Sequence, residues 1–444
     1  MIDVLTPFQL GLISFPVLLA MIALRVPLGA AMITVGLVGL YLINGNLRMI
    51  DNQLKTVTYG ALTNYSFSII PLFLLMSEFA TRGGMSAALF RAAQAVLGHK
   101  QGGLAMAAVG ASAGFGAVCG SSLATASTMG KVALPELRRA GYSPSLATGA
   151  LAAGGTLGIL IPPSVVLVIY AILAEENIAK LFTAAFVPGL IAMAGYMITI
   201  AIVARLRPGA APGVTQMPRA EKRAALWAVW PVIAIFGLVI GGIYTGAFSP
   251  TAAAAVGVAG TAGVAWAKGA MTWNTLNQSV LAVGKTSAMI FFIIIAAGLF
   301  NTFLASARVP QTLAQVFLDA AVSPWLILGG MLVLYIVLGM VMDSLAMIFL
   351  TVPIFVPVVA GLDFGLSPAE VGIWFGILVL MSAEIGLITP PVGLNLFVIN
   401  ALAKDVPIGE TYRGALPFVL SDLIRIALLV AFPTITLGLV RLFY

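Results

Sequence analysis

The chain has 444 residues, of which 61% are hydrophobic and only 8% charged, and it carries a net charge of +7 with a mean hydropathy of +1.10. That composition describes a polytopic helical protein of the lipid bilayer with little room for a soluble domain, and the cations stand in short loops at helix ends rather than in a nucleic-acid-binding patch. One cysteine, Cys119, excludes an internal disulfide, and one histidine, His99, excludes a His-based metal centre.

Met1-Ile2-Asp3 has no basic stretch, so the first apolar segment is expected to be retained rather than cleaved. Apolar segments at 5–24 and 27–44 predict two membrane helices with Arg25 and Pro27 at the turn. A polar stretch over 44–59 precedes a third span at 60–80, which ends at Arg82-Gly83-Gly84. Residues 85–97 carry Arg91 and are too short to cross a bilayer of about 30 Å at about 1.5 Å per residue, so an interfacial helix is expected.

Residues 101–137 are apolar but interrupted at Gly120-Ser121-Ser122, with His99-Lys100 before and Arg138-Arg139 after. Basic flanks at both ends predict a re-entrant hairpin that enters and leaves on one side. A segment over 145–174 follows, broken at Gly154-Gly155-Thr156-Leu157-Gly158-Ile159-Leu160-Ile161-Pro162-Pro163-Ser164. Proline has no N–H to donate and pushes the preceding residue out of helical geometry, so two in succession open the helix. Open backbone at membrane depth persists only where protein or a water-filled cavity covers it, which points to a binding site. A full span at 180–204 closes this half.

Residues 205–224, rich in proline and cations, form a cytoplasmic linker. Spans at 225–245, 250–267 and 276–306 come next. From Val309 to Ala403 there is no lysine or arginine. Here a second interrupted segment, 321–361, has Met342-Asp343-Ser344 at its middle and acidic flanks at Asp319 and Asp363. A second broken span, 368–402, contains Glu384-Ile385-Gly386-Leu387-Ile388-Thr389-Pro390-Pro391-Val392-Gly393, and a last helix is expected at 412–440.

The two breaks share the pattern aliphatic-Gly-aliphatic-aliphatic-x-Pro-Pro, and each follows a hairpin. The chain therefore divides into 1–204 and 225–444, two repeats of opposite topology joined by the linker, with the N-terminus outside. Discontinuous helices meeting near the bilayer midplane are the architecture of inverted-repeat transporters.

At Gly120-Ser121-Ser122, Gly158 through Ser164, Met342-Asp343-Ser344 with Pro353, and Gly386 through Gly393, the whole chain resembles the large membrane subunit of a TRAP (tripartite ATP-independent periplasmic) transporter, DctM-like. The resemblance implies a secondary active symport system of the bacterial inner membrane that imports organic acids on a sodium gradient by an elevator motion. It implies two partners, a small four-helix membrane subunit and a periplasmic substrate-binding protein, and no cofactor beyond Na+ as the coupling ion.

The same resemblance implies two sodium sites. The first would use Gly120, Ser121 and Ser122 with Gly158, Ile161 and Pro163, and Thr125 as a weaker member; the second Asp343 and Ser344 with Gly386, Thr389 and Val392. Sodium prefers hard oxygen ligands, which broken helices supply. Pro162, Ser164, Pro390 and Gly393 would face substrate, with helix N-termini toward its carboxylate.

Plainer readings stand beside these. Ser121 and Ser122 can back-bond to helix carbonyls. Asp343, a functional candidate by its depth, can instead cap the second hairpin helix. Glu384 admits a proton-relay role that nothing else supports. Glu78 is expected to pair with Arg82, and Cys119 to be a packing residue.

Rival functions fare worse. An intramembrane protease would need a Ser–His pair or two catalytic aspartates at membrane depth, and His99 lies at a predicted boundary while no aspartate partner for Asp343 is in evidence. A nucleotide-driven pump has only Gly284-Lys285-Thr286, with Ser279 where a phosphate-binding loop needs glycine. A channel does not call for paired broken helices. The nearest alternative is a stand-alone sodium- or proton-coupled anion carrier of the same architecture.

Overall fold

Side-chain caps and proline or glycine stops cut the apolar sequence into helices. The computed structural model describes residues 5–319 and 322–444, side chains at 317–319 excepted. The expectation for Met1-Ile2-Asp3, the side chain of the acidic flank Asp319 and the hairpin start at residue 321 lie outside what is described.

The first half begins with α1 (Pro7–Ala23), opened by a reciprocal Thr6–Gln9 capping box, and α2 (Leu28–Asn44), closed by Gly45 in the left-handed region. The expected third span is instead two helices, α3 (Leu47–Thr63) and α4 (Ile69–Arg82), bent by 54°. Asn64 is the reason: its side chain accepts the Ser66 N–H at 2.9 Å and starts a new turn there. The stretch read as polar is thus an amphipathic helix. The short helix α5 (Met85–Leu97) buries Met85, Phe90, Ala92 and Ala95, and Glu78 pairs with Arg82 at 2.7 Å.

The first interrupted segment folds as α6 (Gly103–Cys119) and α7 (Ser122–Arg139). The first broken span is α8 (Pro144–Leu160) and α9 (Val165–Leu173), bent by 46°, and α10 (Ile178–Leu206) follows. Linker backbone is strapped to loop backbone: Ser143 N–H donates to Ala210 O and Gly102 N–H to Ala211 O.

After the linker come α11 (Arg219–Trp227), α12 (Trp230–Tyr244), α13 (Pro250–Ala267), the 34-residue α14 (Trp273–Ser306) and α15 (Val309–Asp319). The second interrupted segment is α16 (Pro324–Gly339) and α17 (Ser344–Ala360); the second broken span is α18 (Pro368–Leu387) and α19 (Leu394–Leu402). The expected last helix is split into α20 (Ile408–Ala431) and α21 (Thr434–Phe443). Pro433 forces Phe432 out of helical geometry, to φ −128° and ψ 75°.

Among the described residues six helical segments are long and apolar enough to cross a membrane, one of them α11 and α12 taken together, and up to eight spans result if each bent pair counts as one. The helices form two packed groups. An outer group joins α1–α4 to α12–α14, with α2 and α4 against α14 and α13. An inner group joins α6–α9 to α16–α20, with α8 at its centre, contacting α6, α7, α10 and α20. The groups touch through α4 on α6 and α14 on α17. Burial is greatest at one inner helix: the membrane-length window of α18 is 89% buried and that of the outer α13 28%, while α14 and α20 are both 44% buried. A buried span contacts protein on every side and an outer one leaves a face for lipid.

Candidate functional site

Each hairpin meets its broken helix through a pair of glycines. A Cβ on Gly116 of α6 would lie 2.4 Å from the Gly158 Cα of α8, and a Cβ on Gly386 of α18 would lie 2.5 Å from the Gly339 Cα of α16. Gly158 and Gly386 are the glycines of the shared aliphatic-Gly pattern. They allow the hairpin backbone to touch the break directly, which any side chain would prevent.

At the first break the hairpin turns at Gly120, held at φ +65°, and Ser121 caps α7. A Cβ on Gly120 would stand 3.1 Å from Pro163 O, so the tip rests on the opened backbone. Thr125 Oγ1 and Ser121 O face Gly158, at 2.4 and 2.8 Å from where its Cβ would stand. Thr125 Oγ1 is buried without a hydrogen bond of regular geometry, with the Cys119 thiol within reach of it. A buried hydroxyl normally finds a partner, so a poorly satisfied one beside a carbonyl at an opened helix is a place where a hard cation fits. Ile161, at the end of α8, donates its N–H to Leu157 O.

The second break is built on the same plan. Asp343 stands at the N-cap position of α17, and Gly393 N–H donates to Met340 O, joining the break to the hairpin. Thr389 Oγ1 donates to Ile385 O at 2.6 Å, leaving its lone pairs free, and Val392 is half-buried next to the prolines.

The two tips converge on one buried carboxylate. Ser122 Oγ donates to Glu384 Oε2 at 2.7 Å, and Ser344 Oγ to Glu384 Oε1 at 3.3 Å. Glu384 is fully buried in the last turn of α18. The short helices after the breaks cross over: α9 packs on α17, and α19 on α7. Asn395 of α19 donates to Ala152 O of α8 at 3.2 Å.

Between the tips lies a cavity of about 190 Å³, lined by Ser121, Ser122, Asp343 and Ser344 and by the first turn of α9 at Val165 and Val166. Its outer wall is α14, through Thr286, Met289 and Ile290. Pro162, Ser164, Pro390 and Gly393, expected to face substrate, do not line it. The Ser164 hydroxyl instead caps α9, accepting the Leu167 N–H at 3.3 Å, and the fully buried Ser164 leaves the lining to Val165 and Val166. Gly393 is turned into the left-handed region and tied to the hairpin.

The model of the tripartite ATP-independent periplasmic transporter DctM component matches residues 15–435. The chain belongs to this family. It is a TRAP transporter large permease, and a multi-pass membrane protein. It is 38% identical over 384 residues to the C4-dicarboxylate large permease DctM of Pseudomonas aeruginosa, covering 85% of this chain and 86% of that one. It is 32% identical to the sialic acid large permease SiaM of Vibrio cholerae, over 94% of this chain and 95% of that one. The ectoine large permease TeaC of Halomonas elongata is 30% identical, over 95% and 97%. Among solved structures, the YdaH transporter of Alcanivorax borkumensis aligns at a TM-score of 0.66 with 16% identity, over 89% of this chain and 90% of that one, a likeness of fold.

Two groups in this permease escape a reading by motif. Glu384 is visible as a membrane carboxylate before a break, but its serine partners lie 262 and 40 positions away. A buried polar chain runs from Thr156 of α8 through Tyr196 of α10 to Asp422 of α20, with contacts of 3.0 and 2.7 Å, and Asp422 pairs with Arg425 at 3.0 Å. Cys119 is buried and accepts from Ser77 Oγ at 2.9 Å, a packing role.

Proposed function

We propose that this permease is the membrane-translocating subunit of a sodium-coupled, binding-protein-dependent importer of carboxylate-bearing organic acids. Its location would be the bacterial inner membrane, with the N-terminus periplasmic. The observation that carries the reading is the pair of hairpin tips meeting at a cavity between two opened helices. On the first side, the poorly satisfied Thr125 hydroxyl, the Ser121 carbonyl and the backbone at Gly158, Ile161 and Pro163 offer hard oxygens to one sodium ion. On the second, Asp343, Ser344, Gly386, Thr389 and Val392 offer them to another. The first turn of α9 opens on the cavity, and a helix N-terminus favours a carboxylate there.

The elevator motion and the inverted relation of 1–204 to 225–444 belong to the same reading. The division into two packed groups supports it: the inner group carries both hairpins and both breaks, so it can move as one body. The α5 and α15 segments suit the connecting arms. Relatives named for C4-dicarboxylates, sialic acid and ectoine support carboxylate-bearing cargo and leave its size open.

The test is uptake into liposomes holding this permease and a separate small membrane subunit, with the cognate binding protein outside. Import is expected only with an inward sodium gradient and loaded binding protein. Uptake that persists without the binding protein would favour a stand-alone anion carrier; conductance without either would sink the carrier reading. Ser122→Ala and Thr389→Ala are each expected to weaken sodium activation.

A further inference from the structure

Away from the hairpins, α10 and α20 pack against each other, and the C-terminus of α10 lies beside the N-terminus of α20. A cavity of about 500 Å³ opens there, lined by Ser145, Ile202, Leu206, Arg207, Arg413 and Leu416. Its roof is the short turn at Pro208–Ala210, whose Ala210 O accepts the Ser143 N–H at 2.9 Å. Arg207 and Arg413 are both exposed, and neither forms an ion pair among the described residues. No carboxylate lines the cavity. Glu410, one turn before Arg413 on α20, is not paired with it either.

From this mouth two aliphatic stripes run inward along the helices. Ile198, Ile202 and Leu206 follow one another at four-residue spacing on α10, and Leu416, Leu420 and Ile424 do so on α20; all six are exposed. Residues at i, i+4 and i+8 share one face of a helix. Each stripe covers nine residues, eight steps of about 1.5 Å or about 12 Å, close to the depth of one leaflet's hydrocarbon. Both start at an arginine and both lead away from it.

We infer that this groove is a binding site for one anionic phospholipid, with the phosphate between Arg207 and Arg413 and the acyl chains along the two stripes. Guanidinium groups present paired donors that match phosphate oxygens, and these two have no protein anion to neutralise them. The aliphatic walls would suit any lipid tail. The paired cations at their head select a headgroup of net negative charge, because the ammonium of a zwitterionic lipid offsets its phosphate. Ser145, on the cavity wall, supplies a hydroxyl for the same headgroup.

The proposal is tested by native mass spectrometry of the delipidated full-length permease, titrated with phosphatidylglycerol and with phosphatidylcholine of the same chain length. One tightly retained phosphatidylglycerol is expected, with phosphatidylcholine held on the order of ten-fold more weakly. Arg207→Gln with Arg413→Gln should remove that preference while the melting temperature in detergent stays unchanged, since both side chains are exposed. Ile202→Trp, which fills the groove without touching the charges, should weaken both lipids together. Equal retention of the two lipids by the wild-type chain would overturn the proposal, as would an unaltered preference in the double arginine variant. Displacement of the lipid by millimolar inorganic phosphate would show a free-anion site instead. Displacement by the small membrane subunit would show a protein interface.

Discussion

Ser122 Oγ donates to Glu384 Oε2 across 2.7 Å, and the two residues belong to different halves of the chain, 262 positions apart. Ser344 Oγ reaches the other oxygen of the same carboxylate. One side chain therefore ties both hairpin tips, and the hydroxyls it holds are the ones proposed beside the two ion sites. Glu384→Gln keeps the shape and loses one of the two acceptors. It is expected to leave the fold intact and to shift half-maximal sodium activation by roughly ten-fold, the scale of one buried hydrogen bond of about 1–1.5 kcal/mol. Sodium titration of uptake in liposomes measures this. An unchanged sodium curve would remove Glu384 from the ion machinery.

Thr125→Val exchanges the poorly satisfied hydroxyl for a methyl of similar size. Removing a poorly satisfied buried polar group is expected to stabilise the permease by about 1 kcal/mol. If that hydroxyl is a sodium ligand, the same change weakens sodium activation, whereas Thr125→Ser retains it. Stability up and sodium affinity down is a combination that a purely structural threonine does not produce; melting temperature and sodium titration read the two together.

Gly158→Ala would put its Cβ 2.4 Å from Thr125 Oγ1 and 2.8 Å from Ser121 O. Gly386→Ala would meet Gly339 backbone at 2.5 Å. Overpacking of this kind costs about 1–3 kcal/mol, so both variants are expected to melt earlier and to lose uptake. Gly237→Ala, on the outer α12 with nothing within 4 Å of its Cβ, is the control that should do neither.

Arg425 and Asp422 are 3% and 1% exposed at their side chains and pair at 3.0 Å, with Tyr196 OH donating to the same aspartate. Arg425→Met strands a buried carboxyl and is expected to destabilise by about 3–5 kcal/mol. Adding Asp422→Leu should recover most of that loss, because no uncompensated charge remains. A double-mutant cycle on melting temperature measures the difference. A double variant whose loss equals the sum of the losses of Arg425→Met and Asp422→Leu would show that the pair is not coupled.

Arg138, at the end of α7, pairs with Asp405 in the loop after α19 at 2.5 Å, linking the two halves outside the bilayer. The Asp405 carboxyl is held below its ordinary range by its own backbone N–H and by the Arg138 hydrogen bond. A depressed carboxyl pKa stabilises the fold above the unfolded-state value and loses that effect as pH falls through the folded-state value. The pair is exposed, so the effect is small. Wild type and Asp405→Asn should differ slightly in melting temperature at neutral pH and converge once the solution is more acidic than the folded-state carboxyl. A difference that persists there would assign it to something other than this charge.

Much of this architecture was legible in the order of residues because its signals are local. Apolar length predicts spans, paired prolines open helices, and Gly120 and the serines beside it mark a tip, all from neighbours within a turn or two. The same locality explains the misreadings. Asn64 and Pro433 each end a helix inside a long apolar run, and hydropathy averages over such single residues. Ser164 follows the second proline of its break, and only the structure shows that its hydroxyl caps α9 there.

The sequence by itself determined a helical membrane permease with two broken spans, since burial in lipid demands that each helix satisfy its own backbone wherever it is not broken. Only the tertiary structure decided that both tips share Glu384, that Gly116 seats on Gly158 as Gly339 does on Gly386, and that Tyr196 and Arg425 meet at Asp422. Those contacts join residues tens to hundreds of positions apart. Their partners are chosen by how helices pack, and no spacing along the chain encodes that choice.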